Sequence, residues 1–148
     1  MTPEDDGLTG HVLDLDAVCH LLDVRSNYGR EIVRQSVLRN TTLLLPAAAA
    51  QCVTALRPGQ AEALLAVPVV TVGSLTAADV ANAAGLGPKV AANLERHGTG
   101  PATGTDLVAV LAAAHAVLLA ESRGGWRVIT PTPHLYDDIP DIRLEILP

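Results

Sequence analysis

The stretch from Asp106 to Thr130 constrains this chain most. Leu107 to Ala120 is apolar apart from His115, Glu121-Ser122-Arg123-Gly124-Gly125 interrupts the run, and Trp126-Arg127-Val128-Ile129-Thr130 follows. Such a run is too short to span a bilayer and suits a buried core helix. The glycines supply the backbone freedom that a helix end favours, and the β-branched segment after them reads as a strand. The end of such a strand is where an α/β fold places its chemistry. Here that end carries Thr130-Pro131-Thr132-Pro133, with no carboxylate.

The rest of the chain repeats the alternation. Val12–Leu15 reads as a short strand before a helix over Ala17–Val24, and Tyr28–Arg39 as an amphipathic helix ended by Asn40. Thr42–Leu45 is a second strand, and Pro46 opens the first turn of a helix over Ala47–Leu56. Arg57-Pro58-Gly59 breaks it, and Gln60–Ala66 resumes. Val67–Val72 is a third strand. Thr76 caps a helix over Ala77–Ala84, which Gly85-Leu86-Gly87-Pro88 separates from another over Lys89–His97. Gly98–Gly104 is a loop without the lysine of a phosphate-binding loop. Thr105 or Asp106 caps the long helix, Pro133–Tyr136 forms one helical turn, and Ile142–Leu147 reads as a half-exposed edge strand. Strands separated by helices imply right-handed crossovers and a mainly parallel sheet covered on both faces.

Composition narrows the function. With 148 residues, 49% of them hydrophobic, the chain fills one substantial core, built from aliphatic residues because Tyr28, Trp126 and Tyr136 are the only aromatics. The start lacks a basic segment followed by an apolar run, which implies a cytoplasmic protein. Cys19 and Cys52 fit neither zinc spacing nor a disulfide framework and read as packing residues. A net charge of −6 argues against charge-driven capture of nucleic acid. A local contact surface for RNA or an acidic partner remains, because Arg25, Arg30, Arg34 and Arg39 fall close together, and Arg30 and Arg34 share a helix face.

Four segments carry a resemblance. Val12-Leu13-Asp14-Leu15-Asp16 precedes a helix, and Leu45-Pro46-Ala47-Ala48-Ala49-Ala50-Gln51 follows the second strand. Leu75-Thr76-Ala77-Ala78-Asp79 follows the third, and Ala113-Ala114-His115 leads to Val128-Ile129-Thr130-Pro131-Thr132. Together, over nearly the whole chain, they resemble a PIN domain. The resemblance implies a three-layer α/β/α domain over residues 11–148, behind an acidic tail at 1–10, with a mainly parallel sheet of four to five strands. It implies a small cytoplasmic ribonuclease like the toxin half of VapBC-type toxin–antitoxin pairs, a homodimer paired through early helices, and an antitoxin-like partner. Three or four carboxylates would gather magnesium or manganese, hard ions that take oxygen ligands, activate water and neutralise phosphate charge.

Carried over residue by residue, the pattern matches at Asp14, the family's first acid. Asp16 stands where the family has Ser, Thr or Asn, and either assists the metal or caps a helix. Gln51 replaces a glutamate, Ala113 the third acid and Thr132 the fourth. Asp106, two turns upstream of Ala113, becomes the third acid if its helix starts deep in the site. His115, His20 and His134 read as structural histidines, and Asp137, Asp138 and Asp141 as a solvated acidic turn that has Thr132 close by in sequence as a site to compensate.

Two functions follow. In one, Asp14, Asp16 and Asp106 hold a metal, Gln51 orients water, and the chain is a magnesium- or manganese-dependent endoribonuclease. In the other, favoured by the loss of acids, metal binding is weak and a degenerate PIN-like domain serves as an RNA- or protein-binding module, with Arg25, Arg30 and Arg34 as contacts. An α/β domain unrelated to nucleic acid is the third reading.

Overall fold

The computed structural model describes residues 9–23, 25–98 and 104–148. Its strands are β1 (Gly10–Leu13), β2 (Thr42–Pro46), β3 (Val70–Gly73), β4 (Arg127–Thr130) and β5 (Leu144–Ile146). Its helices are α1 (Leu15–Leu22), α2 (Asn27–Arg39), α3 (Ala47–Leu56), α4 (Pro58–Leu65), α5 (Ala77–His97) and α6 (Gly104–Ser122), with a 3₁₀ turn at Pro133–Tyr136. The five strands form one sheet in the order β3-β2-β1-β4-β5, parallel at every pairing.

Each strand sends alternate side chains to opposite faces, and the two faces bury different clusters. Leu13, Leu43, Leu45 and Ile129 pack with Val18, Leu22, Ala49, Val53 and Leu64 from α1, α3 and α4. Val12, Leu44 and Val128 pack with Val90 from α5 and Ala113, Ala116 and Val117 from α6. The result is a three-layer α/β/α fold. Small side chains allow close approach: at Gly29, a Cβ would run into the carbonyl of His20, so α1 and α2 touch backbone to backbone.

Several boundaries differ from the sequence expectation, each for a local reason. β1 starts at Gly10 and stops before Asp14, which instead caps α1 by accepting the Ala17 N–H at 2.9 Å. Pro46 ends β2, paired with Gly73, and is not in the first helical turn. α4 begins at Pro58, where a missing N–H costs nothing, so the break before it shrinks to Arg57. β3 loses Val67, Pro68 and Val69 to a turn in which Val70 N–H donates to the Val67 carbonyl. The largest difference is α5, a single helix through Gly85-Leu86-Gly87-Pro88. Helix propensity is a weak prior, and Leu86, Val90 and Leu94 all anchor this helix to the second cluster.

At the far edge, Ile142, Leu144 and Ile146 do not share one buried side. Ile142 and Leu144 pack against the second cluster, Leu147 belongs to the first, and Ile146 is exposed. Asn40 ends α2 in the left-handed conformation as expected, and Gly124 and Gly125, both with positive φ, end α6. Val24 and most of the Gly98–Gly104 loop lie outside the described residues.

Candidate functional site

The C-terminal ends of β1 and β4 lie side by side, because Leu13 pairs with Ile129. Asp14, one residue beyond β1, is 1% exposed. Its Oδ1 accepts the Ala17 N–H, and its Oδ2 accepts the Tyr136 hydroxyl at 2.9 Å. Asp16, in the first turn of α1, accepts the Thr132 hydroxyl at 3.0 Å. Thr132 N–H in turn donates to Thr130 Oγ1 at 3.0 Å. The single Thr130 hydroxyl proton is contested: Thr132 Oγ1 is 3.2 Å away, and Asp14 is also within hydrogen-bonding reach. The cluster therefore joins two carboxyls to three hydroxyls.

Burial dominates the electrostatics. It pushes the Asp14 carboxyl from its ordinary 3.8 up to about 6, against the opposing hydrogen bonds from Thr130, Ala17 and Tyr136, and Asp16 adds to the rise. A carboxylate in low dielectric loses hydration that a few donors replace only in part. Burial, with Asp14 beside it, also raises the Tyr136 phenol well above its usual range, so that group stays a neutral donor.

Two other residues expected at the site, Gln51 and Ala113, do not join this cluster. Gln51 is exposed on α3 and lines a shallow cavity of about 390 Å³ with Ala48, Cys52, Leu56, Val108 and Leu111. Among the described residues, no hydrogen bond links it to Asp14 or Asp16. Ala113 is fully buried in the α5 side of the core, with Val12 and Leu44, whereas its neighbour Ala112 packs with Leu13, Leu15 and Ala17. Asp106 sits in the first turn of α6.

The acidic turn bonds elsewhere: Asp137 meets His97 at 3.5 Å and Asp138 meets Arg96 at 3.9 Å. His134 stacks on His97 with ring centroids 4.6 Å apart, and His20 is half-buried on α1. His115 is a buried core histidine whose Nε2 lies 3.2 Å from the Ser74 carbonyl. Cys52 is partly buried as expected, but Cys19 is exposed on α1 and is not a packing residue.

The arginines in and just before α2 are partly spent. Arg34 holds Glu31 through two bonds of 2.9 and 2.6 Å, which lowers the Glu31 carboxyl to about 2. Arg25 lies 3.6 Å from Asp23. Among the described residues, Arg30 bonds to the neutral Asn27, at 2.6 Å.

Magnesium wants near-octahedral oxygen ligation and gives up water reluctantly, and three of the four carboxyl oxygens of Asp14 and Asp16 already accept internal hydrogen bonds, from Ala17, Tyr136 and Thr132, a poor match of donor set to ion. Among the described residues, no group of three or more His, Cys, Asp or Glu is arranged to hold a metal ion. Sequence reasoning missed Tyr136 as a site residue, although one of only two tyrosines, six residues past a strand end, was a usable signal.

Fold and strand-end cluster together define a PIN-like α/β/α architecture. The structural relatives bear this out. VapBC2 from Rickettsia felis, bound to a DNA fragment from its promoter, superposes with a TM-score of 0.60 at 15% identity, covering 93% of this chain and 98% of that one. The DNA-bound VapBC of Salmonella typhimurium gives 0.56 at 21% identity, covering 94% and 98%. At these identities the likeness is one of fold. No protein-family model and no curated protein matches the chain.

Proposed function

We propose that this chain is a PIN-like protein whose acidic site no longer works as a metal-dependent nuclease centre, and that it acts as a cytoplasmic binding or regulatory module with an antitoxin-like protein partner. One observation carries the reading: the hydroxyls of Tyr136 and Thr132 stand on the two carboxyls where a nuclease needs free ligand oxygens. The partner is suggested by the VapBC relatives, which are two-protein assemblies. An apolar cavity of about 330 Å³ between α1, α2 and α4, lined by Leu21, Leu22, Val33, Ala63, Leu64 and Val67 with Arg30 at its rim, suits an amphipathic helix carrying an acidic residue. RNA contact through Arg30 is the lesser use of the same surface. A homodimer is part of the proposal, supported by exposed Leu56 and Leu111, which share a cavity lining with Gln51.

The competing reading is an active magnesium- or manganese-dependent endoribonuclease, favoured by Asp14 and Asp16 lying together just past the end of β1. Cleavage of a mixed RNA pool with each metal decides between them. Little cleavage, unaltered by Asp14→Asn, supports the degenerate module. Brisk metal-dependent cleavage abolished by Asp14→Asn establishes the enzyme.

A further inference from the structure

Asn93 lies on α5, an element that contributes no carboxyl to the site, and is 2% exposed among Val90, Leu86 and Leu94. A buried primary amide is costly unless its donors and acceptor are used. Asn93 uses both kinds. Its Nδ2 donates to the Leu135 carbonyl at 3.0 Å and to the Asp137 carbonyl at 2.7 Å, and its Oδ1 accepts from the Arg96 guanidinium at 3.0 Å. The amide orientation is forced, because two carbonyls can only accept and a guanidinium can only donate.

The two carbonyl-bearing residues bracket one other. Leu135 and Asp137 flank Tyr136, whose hydroxyl reaches Asp14 Oδ2. The turn that carries Tyr136 is a single four-residue 3₁₀ element, with little stability of its own. The Leu135 carbonyl belongs to the peptide group entering Tyr136 and the Asp137 carbonyl to the one leaving Asp137, so holding both fixes the Tyr136–Asp137 segment and with it where the Tyr136 ring leaves the backbone. We infer that Asn93 is the positioning residue of the site: by clamping the turn around Tyr136 from α5, it holds the tyrosine hydroxyl on Asp14 and keeps that oxygen from other ligands. The inference rests on the hydroxyl-capped site proposed above.

Asp14 titration seen from Tyr136 tests it. Protein labelled with ¹³C at tyrosine Cζ carries two reporters, buried Tyr136 and exposed Tyr28. In the wild type, Tyr136 Cζ should shift with an inflection near pH 6, where Asp14 takes its proton, while Tyr28 should show none. In folded Asn93→Ala and Asn93→Asp, the Tyr136 inflection should fall to less than half its amplitude. Arg96→Ala, which removes the third contact but neither carbonyl clamp, should keep it.

Persistence of the full inflection in a folded Asn93 variant overturns the inference and leaves the site reading intact. Absence of an inflection in the wild type overturns the site reading itself. Should Ala and Asp variants fail to fold, Asn93→Gln, which keeps the amide but displaces it by one methylene, decides on the same readout: a halved inflection supports the clamp, and a full one refutes it.

Discussion

Replacing Asp14 with asparagine should make the protein more stable at neutral pH and remove a pH dependence that the wild type shows. Asp14 keeps its proton up to about pH 6 when folded and loses it near 3.8 when unfolded. Between those values the folded state binds more protons than the unfolded state, so stability falls as pH rises through the window and levels off above it. A shift of about two units at about 1.4 kcal/mol each makes the penalty at pH 7 on the order of 3 kcal/mol. Asparagine carries no such penalty. Its Oδ1 can still accept the Ala17 N–H, and its amide can donate to the Tyr136 hydroxyl, which accepts as readily as it donates.

Urea unfolding of both proteins from pH 3.5 to 8 measures the difference directly. Asp23 and Asp79, whose carboxyls are lowered by their hydrogen-bond partners, slope the other way at acid pH, but they are common to both proteins and cancel. The asparagine protein should match the wild type near pH 3.5 and exceed it by up to ~3 kcal/mol at pH 7. A flat difference, or one favouring the wild type as pH rises, would refute the account of Asp14 as a buried, proton-retaining carboxyl.

Ala113→Asp should destabilise by ~3 kcal/mol or more, because it puts a carboxyl without a donor into the cluster of Val12 and Leu44; thermal unfolding reads it, and a neutral effect would show open space beside α6. Gly29→Ala should cost ~1–2 kcal/mol despite alanine's better helix propensity, since its methyl meets the His20 backbone; calorimetry that finds a gain would mean α1 and α2 separate freely. The combined Gln51→Glu, Ala113→Asp and Thr132→Asp protein, if it folds, should keep a melting temperature that magnesium leaves unmoved, because Gln51 and Ala113 lie apart from Asp14; a clear rise with magnesium, through preferential binding to the folded state, would show that those positions form one acid site after all. Sedimentation equilibrium should show a homodimer that Leu111→Glu weakens, and a wild-type monomer across the micromolar range would refute the α3–α6 face.

Local signals made much of this architecture readable. Asp14 was visible because a short apolar strand ends there and a helix starts, and Asn40 and the Gly124-Gly125 pair announced their helix ends by backbone preference alone. The continuity of α5 was not readable, since Pro88 argues for a break and only the packing of Leu86, Val90 and Leu94 overrules it. The site divided the same way. A sequence places Gln51 one turn past a strand but does not say that it faces a groove with Leu111. Nor does it join Asn93 to carbonyls more than forty residues away.

The strand order also sets a timetable for the chain as it is made. β1, β2 and β3 lie close in sequence and can pair early, but the other side of β1 is matched to β4, more than a hundred residues later. Until Arg127–Thr130 leaves the ribosome, the central strand of the finished sheet is an unprotected edge, a template for pairing with another chain. Loop-closure cost delays that last pairing further. A stalled or truncated product lacking β4 should therefore be insoluble or held by chaperones, whereas loss of β5 alone would strip only an outer strand.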